Sequence, residues 1–372
     1  MDKLGIETSL LGFGCMRFPL DADGKIDEQL SEEMLDLAMK SGVNYYDTAY
    51  PYHGGDSEPF LGKVLDKYDR SSYYLATKLP CWEINSVEDA ERIFEEQLKR
   101  LNKDYVDFYL LHALGKERWE KMKSLGVVEF CEKLKKEGKI RYLGFSFHDD
   151  YEVFEEILKY RAWDFCQIQY NYMDTEEQAG DRGYALTEEL GVPLVIMEPV
   201  KGGSLASLPK DITDELRSER PDKSTASWAL RWVASHPNVK VVLSGMSDYE
   251  QVKDNLATFN SFIPLSADEQ ALISDVSATL KSRIRNGCTG CRYCMPCPAG
   301  VNIPRNFSIW NHYNVYGNKE QLEKSWLNGI PESEKAVNCI KCGKCEGVCP
   351  QKITIREHLA VLQKELDEAV KM

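Results

Sequence analysis

Between residues 10 and 260 the sequence alternates short runs of β-branched and aromatic residues with longer amphipathic segments. Alternation of this kind favours a parallel sheet with a helix after each strand. Residues 32–42, EEMLDLAMKSG, illustrate the helical spacing and end on a glycine that suits a helix terminus. The predicted strands lie at 10–18, 44–50, 73–80, 106–112, 140–147, 165–171, 193–199 and 239–245.

Eight strand–helix units in roughly 250 residues fit a closed (β/α)8 TIM barrel better than an open doubly wound sheet. The first predicted strand is not followed by a GxGxxG sequence, which weakens the Rossmann alternative. We therefore predict the α/β class, with a barrel over residues 1–265.

Composition limits the partners of the chain. Its 372 residues, 43% of them hydrophobic, allow one large domain and a small one. A net charge of −14 argues against nucleic-acid binding and against docking on an anionic membrane, since both need a basic surface. The N-terminal residues have no signal-peptide pattern, and no apolar stretch approaches membrane-spanning length. We expect a cytoplasmic protein whose partners are small molecules or proteins.

Eight of the twelve cysteines fall in two short runs near the C-terminus, CTGCRYCMPCP at 288–298 and CIKCGKCEGVCP at 339–350. Cytosolic cysteines stay reduced, so dense clusters of them indicate metal ligands rather than disulfides. The four scattered cysteines are expected to be small buried hydrophobic residues. The candidate ligands are Cys288, Cys291, Cys294, Cys297, Cys339, Cys342, Cys345 and Cys349.

The spacing of the second run, C-x2-C-x2-C-x3-C-P, is that of bacterial ferredoxins. The first run has one residue fewer before its last cysteine. Two zinc ions, each held by four cysteines, are the alternative. Zinc sites usually take cysteine pairs separated by a dozen or more residues, so the close spacing favours iron–sulfur clusters.

The resemblance to two-cluster ferredoxins implies two [4Fe–4S] clusters, because there the fourth cysteine of each run serves the other cluster. Cys288, Cys291, Cys294 and Cys349 would hold one cluster, and Cys339, Cys342, Cys345 and Cys297 the other. The segments between the runs have helical patterns, so this part resembles an α-helical ferredoxin. We predict a small ferredoxin-like domain, with a linking helix, over residues 266–372.

Four polar residues follow predicted strands on the side where barrels carry their chemistry, the C-terminal ends of the strands. Asp47 lies near the end of the second strand, Tyr52 lies in the loop just after it, Lys78 lies near the end of the third strand and His112 lies at the end of the fourth. Each alone is as readily a structural ion-pair or packing residue. Their combination is much less expected by chance.

Together these residues suit proton transfer to a carbonyl group. A tyrosine phenol, with a pKa of about 10, donates a proton poorly unless a cation stabilises its phenolate. Lys78 is that cation, and Asp47 would pair with it because a buried ammonium needs an anion. His112 would orient the carbonyl oxygen of the substrate.

The four residues resemble the catalytic tetrad of the aldo-keto reductase family. The segment DTAYPYHGGDSEPFLGKVL is similar to the family signature DTA-x-x-Y…SE…LG, and the resemblance covers roughly residues 3–260. It implies hydride transfer from a nicotinamide coenzyme to an aldehyde or ketone, or the reverse oxidation of an alcohol. Tyr52 would act as the general acid.

The resemblance also implies which residues hold the nicotinamide. Gln167 and Ser146 match the positions that contact its carboxamide. Phe147 stands where many members have asparagine, and Glu198 stands where many place an aromatic that stacks on the ring. The alternative for Glu198 is a solvated residue at a strand end.

The segment VVLSGMSDYEQVKDNL resembles the part of the family that grips the adenosine end of the coenzyme, with a glycine and a helix start that suit a phosphate. Gln251 occupies the position where NADPH-dependent members often have a cation. The coenzyme is therefore expected to be NADP or NAD. Residues 205–224 are either a loop that folds over the coenzyme or a surface excursion. The matching residues are Gly245, Ser247, Gln251, Asp254 and Asn255.

Two classes of function remain. One is a carbonyl reductase with an appended iron–sulfur module; the other is an electron-transfer or regulatory iron–sulfur protein whose barrel senses nicotinamide. A sensor needs no proton donor, so the intact tetrad favours the enzyme. A hydride carries two electrons together, whereas an iron–sulfur cluster passes one electron at a time. A flavin normally converts between the two kinds of transfer, and the sequence has no flavin signature. We therefore expect the clusters to stabilise their module or to exchange electrons with a separate protein, and not to feed the reduction within the chain.

Overall fold

The computed structural model describes residues 1–371, and in these residues eight parallel strands close into a barrel in sequence order. β8 pairs with β1, which completes the closure. The predicted (β/α)8 barrel is confirmed. The strands are β1 (Leu11–Gly14), β2 (Tyr45–Asp47), β3 (Tyr74–Leu79), β4 (Val106–Leu114), β5 (Ile140–Phe147), β6 (Cys166–Gln169), β7 (Leu194–Met197) and β8 (Val239–Ser244).

Helices follow the strands as the sequence pattern predicts, and two of them, α4 and α5, lie between β4 and β5. Polar side chains begin several of these helices; Ser86, for example, accepts a hydrogen bond from the amide of Asp89 at the start of α3. The helices before residue 260 are α1 (Glu28–Lys40), α2 (Ser57–Leu65), α3 (Val87–Leu101), α4 (Lys116–Ser124), α5 (Val127–Lys136), α6 (Tyr151–Tyr160), α7 (Gly180–Glu189), α8 (Lys210–Glu219), α9 (Thr225–Ala234) and α10 (Tyr249–Phe259).

The strands are mostly apolar because both of their faces are buried. Phe108 and Leu110 of β4 belong to a cluster of buried side chains contributed by most of the strands, which fills the barrel interior. Tyr109 and Leu111 face the other way and pack in the larger cluster between strands and helices. Alternate residues of a strand point to opposite faces, so a strand between two apolar layers needs apolar residues at most of its positions.

The chain divides into two compact units. The first comprises residues 1–203 and 226–270, and the second comprises residues 204–225 and 271–371. Residues 204–225, the polar segment after β7, contain α8 and contact the C-terminal part of their own unit: Ser204 Oγ lies 3.1 Å from His312 Nε2, and Arg283 pairs with Asp211. The segment is therefore an element of the second unit, which neither sequence interpretation of residues 205–224 had foreseen.

The second unit is helical, as the sequence predicts. Trp310 and Trp326 are buried in its core, and their indole N–H groups donate to Glu365 and Asp367 of the last helix, at 2.7 and 3.0 Å. A single π-helical turn, Lys324–Asn328, directly follows the helix Lys319–Glu323. The remaining helices are α11 (Ala267–Ser282), α12 (Ile303–Tyr316), α13 (Lys319–Glu323), α14 (Lys344–Gly347) and α15 (Ile355–Ala369).

None of the helices described within residues 1–371 combines the length and the hydropathy that a membrane span requires.

Candidate active site and cysteine cavities

A short helical turn after β2, Tyr52–Gly55, places Tyr52 at the end of the barrel where the strands finish. His53, Gly54 and Gly55 have φ angles of 53°, 67° and 104°. Two glycines in succession let the chain adopt this left-handed backbone with little strain. The sequence YHGG therefore folds back on itself, which keeps the phenol close to the strand ends.

The side chain of Lys78, on β3, is fully buried, and its ammonium contacts two of the other predicted site residues, Asp47 and Tyr52. Its Nζ donates to Asp47 Oδ1 at 2.6 Å and to the carbonyl oxygen of Thr48 at 2.8 Å. The hydroxyl oxygen of Tyr52 lies 3.4 Å from the same nitrogen. The ammonium therefore has three oxygen neighbours, one of them the phenol.

The charges at this site depend on burial and on close partners. Burial by itself lowers the pKa of Lys78, but the Asp47 carboxylate and the Tyr52 hydroxyl outweigh it and hold that pKa above its usual value. Burial also raises the pKa of Asp47, against the opposing effect of Lys78. Burial raises the pKa of the Tyr52 phenol, and the Lys78 ammonium lowers it without cancelling the rise. Tyr52 is therefore protonated at neutral pH.

His112, near the end of β4, completes the group. Its ring centroid lies 6.1 Å from that of Tyr52 and 5.1 Å from that of Trp82. Burial, with Lys78 and then other nearby cationic groups, holds the pKa of His112 well below its ordinary value. The imidazole is thus neutral and keeps a ring N–H that can donate to a carbonyl oxygen. The structure brings Asp47, Tyr52, Lys78 and His112 together.

Other residues of the DTA-x-x-Y…SE…LG segment support this arrangement without reaching the phenol. Glu58 is buried and accepts hydrogen bonds from Thr77 Oγ1 at 2.6 Å and from Gln97 Nε2 at 2.7 Å. Ser57 donates to the carbonyl of Cys15 at 3.0 Å. A Cβ on Gly62 would lie 2.4 Å from the carbonyl oxygen of Leu101, so only glycine allows α2 to approach the end of α3.

The two residues predicted to hold the nicotinamide carboxamide are neighbours in the sheet, since Ser146 of β5 is paired with Gln167 of β6. Gln167 Oε1 is buried and has no hydrogen-bond partner among the described residues. Ser146 Oγ already accepts from the amide of Ala113 at 2.7 Å. An unpaired buried acceptor fits an amide donor from a ligand, which is what a carboxamide N–H supplies.

Glu198 follows β7 with a φ angle of 57°, an uncommon backbone conformation for a residue with a side chain. Its carbonyl oxygen accepts from Asn171 Nδ2 at 3.1 Å. A Cβ built on Gly202 would lie 3.6 Å from Glu198 Oε2 and 4.0 Å from a guanidinium nitrogen of Arg17. The carboxylate and this guanidinium thus both lie close to Gly202.

The segment predicted to grip the adenosine end forms the β8–α10 connection. Asp248 caps α10 by accepting from the Gln251 amide at 2.8 Å, and Gln251 Oε1 in turn accepts from the Ser247 amide at 2.9 Å. Asn255 is buried and donates to Ser244 Oγ at 2.9 Å, so it holds the end of β8. Ser247 and Gln251 are exposed at this helix start.

Residues at the rim of the site were missed by sequence reasoning. A Cβ on Gly245 would lie 2.6 Å from the Arg17 side chain, so Arg17 covers the glycine of the adenosine segment. Arg118 donates to the carbonyl of Ala113 at 2.7 Å and stacks over Trp82. No spacing in the sequence links these arginines to the residues that they contact, and only the fold brings them together.

The eight clustered cysteines line two cavities of the second unit. One cavity is bounded by Cys297, Cys339, Cys342 and Cys345 and touches Cys294. The other is bounded by Cys288, Cys291, Cys294 and Cys349. In both cavities the last cysteine of one run joins the first three cysteines of the other run, as the ferredoxin resemblance implies. The four remaining cysteines, Cys15, Cys81, Cys131 and Cys166, are buried.

These cysteines surround a space and do not converge on a point. Within residues 1–371, no group of three or more cysteine, histidine or carboxylate side chains is close enough to bind one metal ion. Four thiolates on a zinc ion lie about 2.3 Å from it and therefore about 3.8 Å from one another. A [4Fe–4S] cluster binds each thiolate through a different iron atom and therefore needs a wider arrangement of the four cysteines.

A family model described as the aldo/keto reductase family matches residues 10–278, which is more than half of the chain. The chain belongs to the aldo/keto reductase family. It is thus an oxidoreductase that acts on carbonyl groups and the corresponding alcohols. A second family model, a 4Fe-4S dicluster domain, matches residues 287–354 of this reductase and includes all eight clustered cysteines.

Relatives match over nearly their whole length and cover about three quarters of this reductase. The NADH-specific methylglyoxal reductase of Escherichia coli is 26% identical over 76% of this chain and 96% of its own. The holo form of an aldo-keto reductase from Bacillus halodurans is 31% identical over 72% of this chain and 92% of its own, with a TM-score of 0.60. An aldo-keto reductase from Klebsiella pneumoniae in complex with NADPH, 24% identical over 73% of this chain and 95% of its own, shares the fold with a TM-score of 0.61.

We expect replacement of Asp47 by Asn to lower the free energy of unfolding by about 3 kcal/mol at neutral pH, because a buried Lys78 would lose its anion. Urea unfolding followed by circular dichroism measures the change. Asp214→Asn is the matched control, since Asp214 pairs with Lys210 and both side chains are exposed, where a pair contributes at most about 1 kcal/mol. Equal stability losses in the two variants would contradict the importance of the buried pair.

Proposed function

We propose that this reductase transfers hydride between a nicotinamide coenzyme, NADPH or NADH, and a small aldehyde or ketone, with Tyr52 as the general acid. The observation that carries the proposal is the contact of the Lys78 ammonium with both Asp47, at 2.6 Å, and the Tyr52 hydroxyl, at 3.4 Å. A protonated phenol beside a buried cation is what a carbonyl oxygen requires when it gains negative charge.

The residues present fit a nicotinamide coenzyme. The unpaired Gln167 Oε1 supports a contact with the carboxamide, and Ser146 and Glu198 lie beside it on β5 and just after β7. Gly245, Ser247, Gln251 and Asn255 are assigned to the adenosine end. The exposed guanidinium of Arg17, next to Gly245, adds a cation that suits the pyrophosphate. When bound, the nicotinamide ring supplies or accepts the hydride.

The side chains of the chain itself carry out the proton transfer. Tyr52 gives its phenolic proton to the carbonyl oxygen as hydride reaches the carbonyl carbon, and Lys78 stabilises the phenolate that remains. The neutral His112 donates a ring N–H to the same oxygen and so orients the substrate. Asp47 holds the charge of Lys78 in a site that water scarcely reaches. An alcohol is oxidised when the proton and the hydride move in the opposite directions.

We further propose that the second unit holds two [4Fe–4S] clusters. Cys288, Cys291, Cys294 and Cys349 would bind one, and Cys339, Cys342, Cys345 and Cys297 the other, which the lining of the two cavities supports. The clusters supply one-electron chemistry and cross-links for a small unit. Their electrons do not enter the carbonyl reduction within the chain, since that step needs two electrons at once.

Replacement of Tyr52 by Phe is expected to reduce kcat for carbonyl reduction by at least about a hundredfold, since the proton donor is removed. Coenzyme affinity, measured by fluorescence titration, should change little because the phenol does not grip the nucleotide. Methylglyoxal is a suitable first substrate, given the relative from Escherichia coli. Tyr50→Phe is the control, as its hydroxyl contacts Glu96. Near wild-type turnover of the Tyr52 variant would sink the assignment.

The pH dependence of reduction follows from the two shifted groups. Reduction needs Tyr52 protonated, so the rate falls only as pH rises through its pKa, which burial moves above the ordinary value of about 10. It needs His112 neutral, and burial moves the pKa of His112 below its ordinary value of about 6.5. We expect kcat/KM to stay constant within about twofold from pH 7 to 9. A decline centred below pH 9 would contradict this reading of the tyrosine.

Anaerobically purified protein is expected to contain about eight iron atoms and about eight acid-labile sulfides per chain, as two cubanes require. Cys297→Ser should remove or convert one cluster, with loss of one to four irons, about half the iron at most. Cys166→Ala is the matched control, because this thiol is buried within the barrel. Stoichiometric zinc in place of iron would show that the metal assignment is wrong.

The separation of one-electron and two-electron chemistry can be tested without nicotinamide. The clusters are reduced anaerobically with dithionite, the excess reductant is removed, and methylglyoxal is added. We expect no alcohol product above a control that lacks protein, because the chain has no flavin to pair the electrons. Alcohol formation at a rate comparable with that of the coenzyme-driven reaction would require an internal electron path.

A further inference from the structure

Apolar side chains surround the cysteine cavities and face solvent. Tyr293, Ile340 and Val348 are 70%, 66% and 53% exposed, and all three line the cavity that contains Cys339, Cys342 and Cys345. A patch of large apolar residues that are exposed together usually marks an interaction site, whereas single exposed apolar residues do not. We name this surface the cluster face and define it by Arg292, Tyr293, Ile340, Lys341, Lys344, Val348 and Lys352.

Basic side chains outnumber carboxylates on the cluster face of a strongly acidic chain. Residues 288–298 and 339–356 together carry five basic side chains and one carboxylate, whereas the whole chain carries a net charge of −14. Two [4Fe–4S]²⁺ clusters, each bound by four thiolates and so carrying a charge of −2, would offset these cations in the sum, so a partner meets the local charge of the exposed side chains. The single carboxylate, Glu346, is bound by Arg356 at 2.6 Å. In the described part of the chain, no carboxylate lies within 4.0 Å of the charged groups of Arg292, Lys341, Lys344 or Lys352. These four cations are thus available to an external anion.

We propose that the cluster face docks a small, acidic one-electron carrier protein, of the ferredoxin or flavodoxin kind, which exchanges electrons with the clusters. The inference rests on the proposed two-cluster assignment and adds the partner. Apolar side chains inside a charged rim are the usual anatomy of a protein interface. The free cations select a partner of opposite charge and speed its approach. Interfaces of electron carriers are small, which a face of a few residues can provide.

Electron exchange at this face balances without any bond being made or broken. A reduced carrier loses one electron, and one [4Fe–4S]²⁺ cluster of this chain gains it and becomes [4Fe–4S]⁺. Cys342 and Cys291 are the most exposed of the predicted ligands and belong to different clusters. Each cluster therefore has a thiolate near the surface where a carrier would dock.

The test measures binding between the holoprotein and a plant-type [2Fe–2S] ferredoxin, an acidic carrier, by anaerobic titration calorimetry at low salt. Lys341→Glu/Lys344→Glu changes two cations of the cluster face. Lys319→Glu/Lys364→Glu makes the same change of charge on exposed lysines of α13 and α15. We expect Kd to rise about tenfold or more for the first pair and less than about twofold for the second. Ile340→Ser should also weaken binding.

Stopped-flow mixing gives a second measurement. Reduced ferredoxin should lose its EPR signal as a [4Fe–4S]⁺ signal grows, and the Lys341→Glu/Lys344→Glu variant should slow this transfer while its iron content stays the same. Equal effects of the two double variants, or self-association of the chain that excludes ferredoxin, would overturn the docking surface. The docking surface would also be overturned if protein with eight irons and normal carbonyl reduction did not bind ferredoxin. That outcome would leave the proposed function intact. Protein without iron would instead overturn the cluster assignment, and the inference with it.

Discussion

A buried lysine ammonium is the constraint from which the rest of the active site follows. Lys78 is on a strand of a closed barrel, where water cannot solvate its charge, so an anion and further oxygen atoms must lie within hydrogen-bond distance. Asp47 and the Thr48 carbonyl meet that need, both at the end of the neighbouring strand. The chain must then turn directly after β2, and that turn brings Tyr52 to the same nitrogen. Charge compensation and proton donation are thus parts of one arrangement.

The segment between Asp47 and Leu65 shows why a family signature contains residues that perform no chemistry. Ser57 ties the start of α2 to the loop after β1, and Glu58 ties it to β3 through Thr77. Gly62 lets the helix lie against the backbone of Leu101. Each contact fixes the α2 end of the turn that holds Tyr52. A phenol that must lie within a few tenths of an ångström of its partners needs this support.

Under the proposed function, the two units of the chain handle electrons in different numbers. The barrel carries the residues of hydride chemistry, which moves two electrons together, and the second unit carries cysteines in the spacing of one-electron clusters. The segment 204–225 leaves the barrel after β7, yet it belongs to the cysteine-bearing unit. The connection after a strand end of the barrel is therefore built into the fold of the second unit, so the stability of this segment depends on that unit.

The sequence alone was enough to predict the barrel, the helical second unit and the two families whose models match, because strand–helix periodicity and cysteine spacing are local properties of the chain. It also pointed to Asp47, Tyr52, Lys78 and His112, whose positions at strand ends follow once a barrel is assumed. Only the tertiary structure decided that Arg17 covers Gly245, that Gln167 keeps an unpaired oxygen, and that α8 belongs with residues 271–371. These features depend on how residues that are tens to hundreds of positions apart in the sequence pack together. Such contacts arise from packing of the whole chain, and no periodicity or spacing along the sequence encodes them.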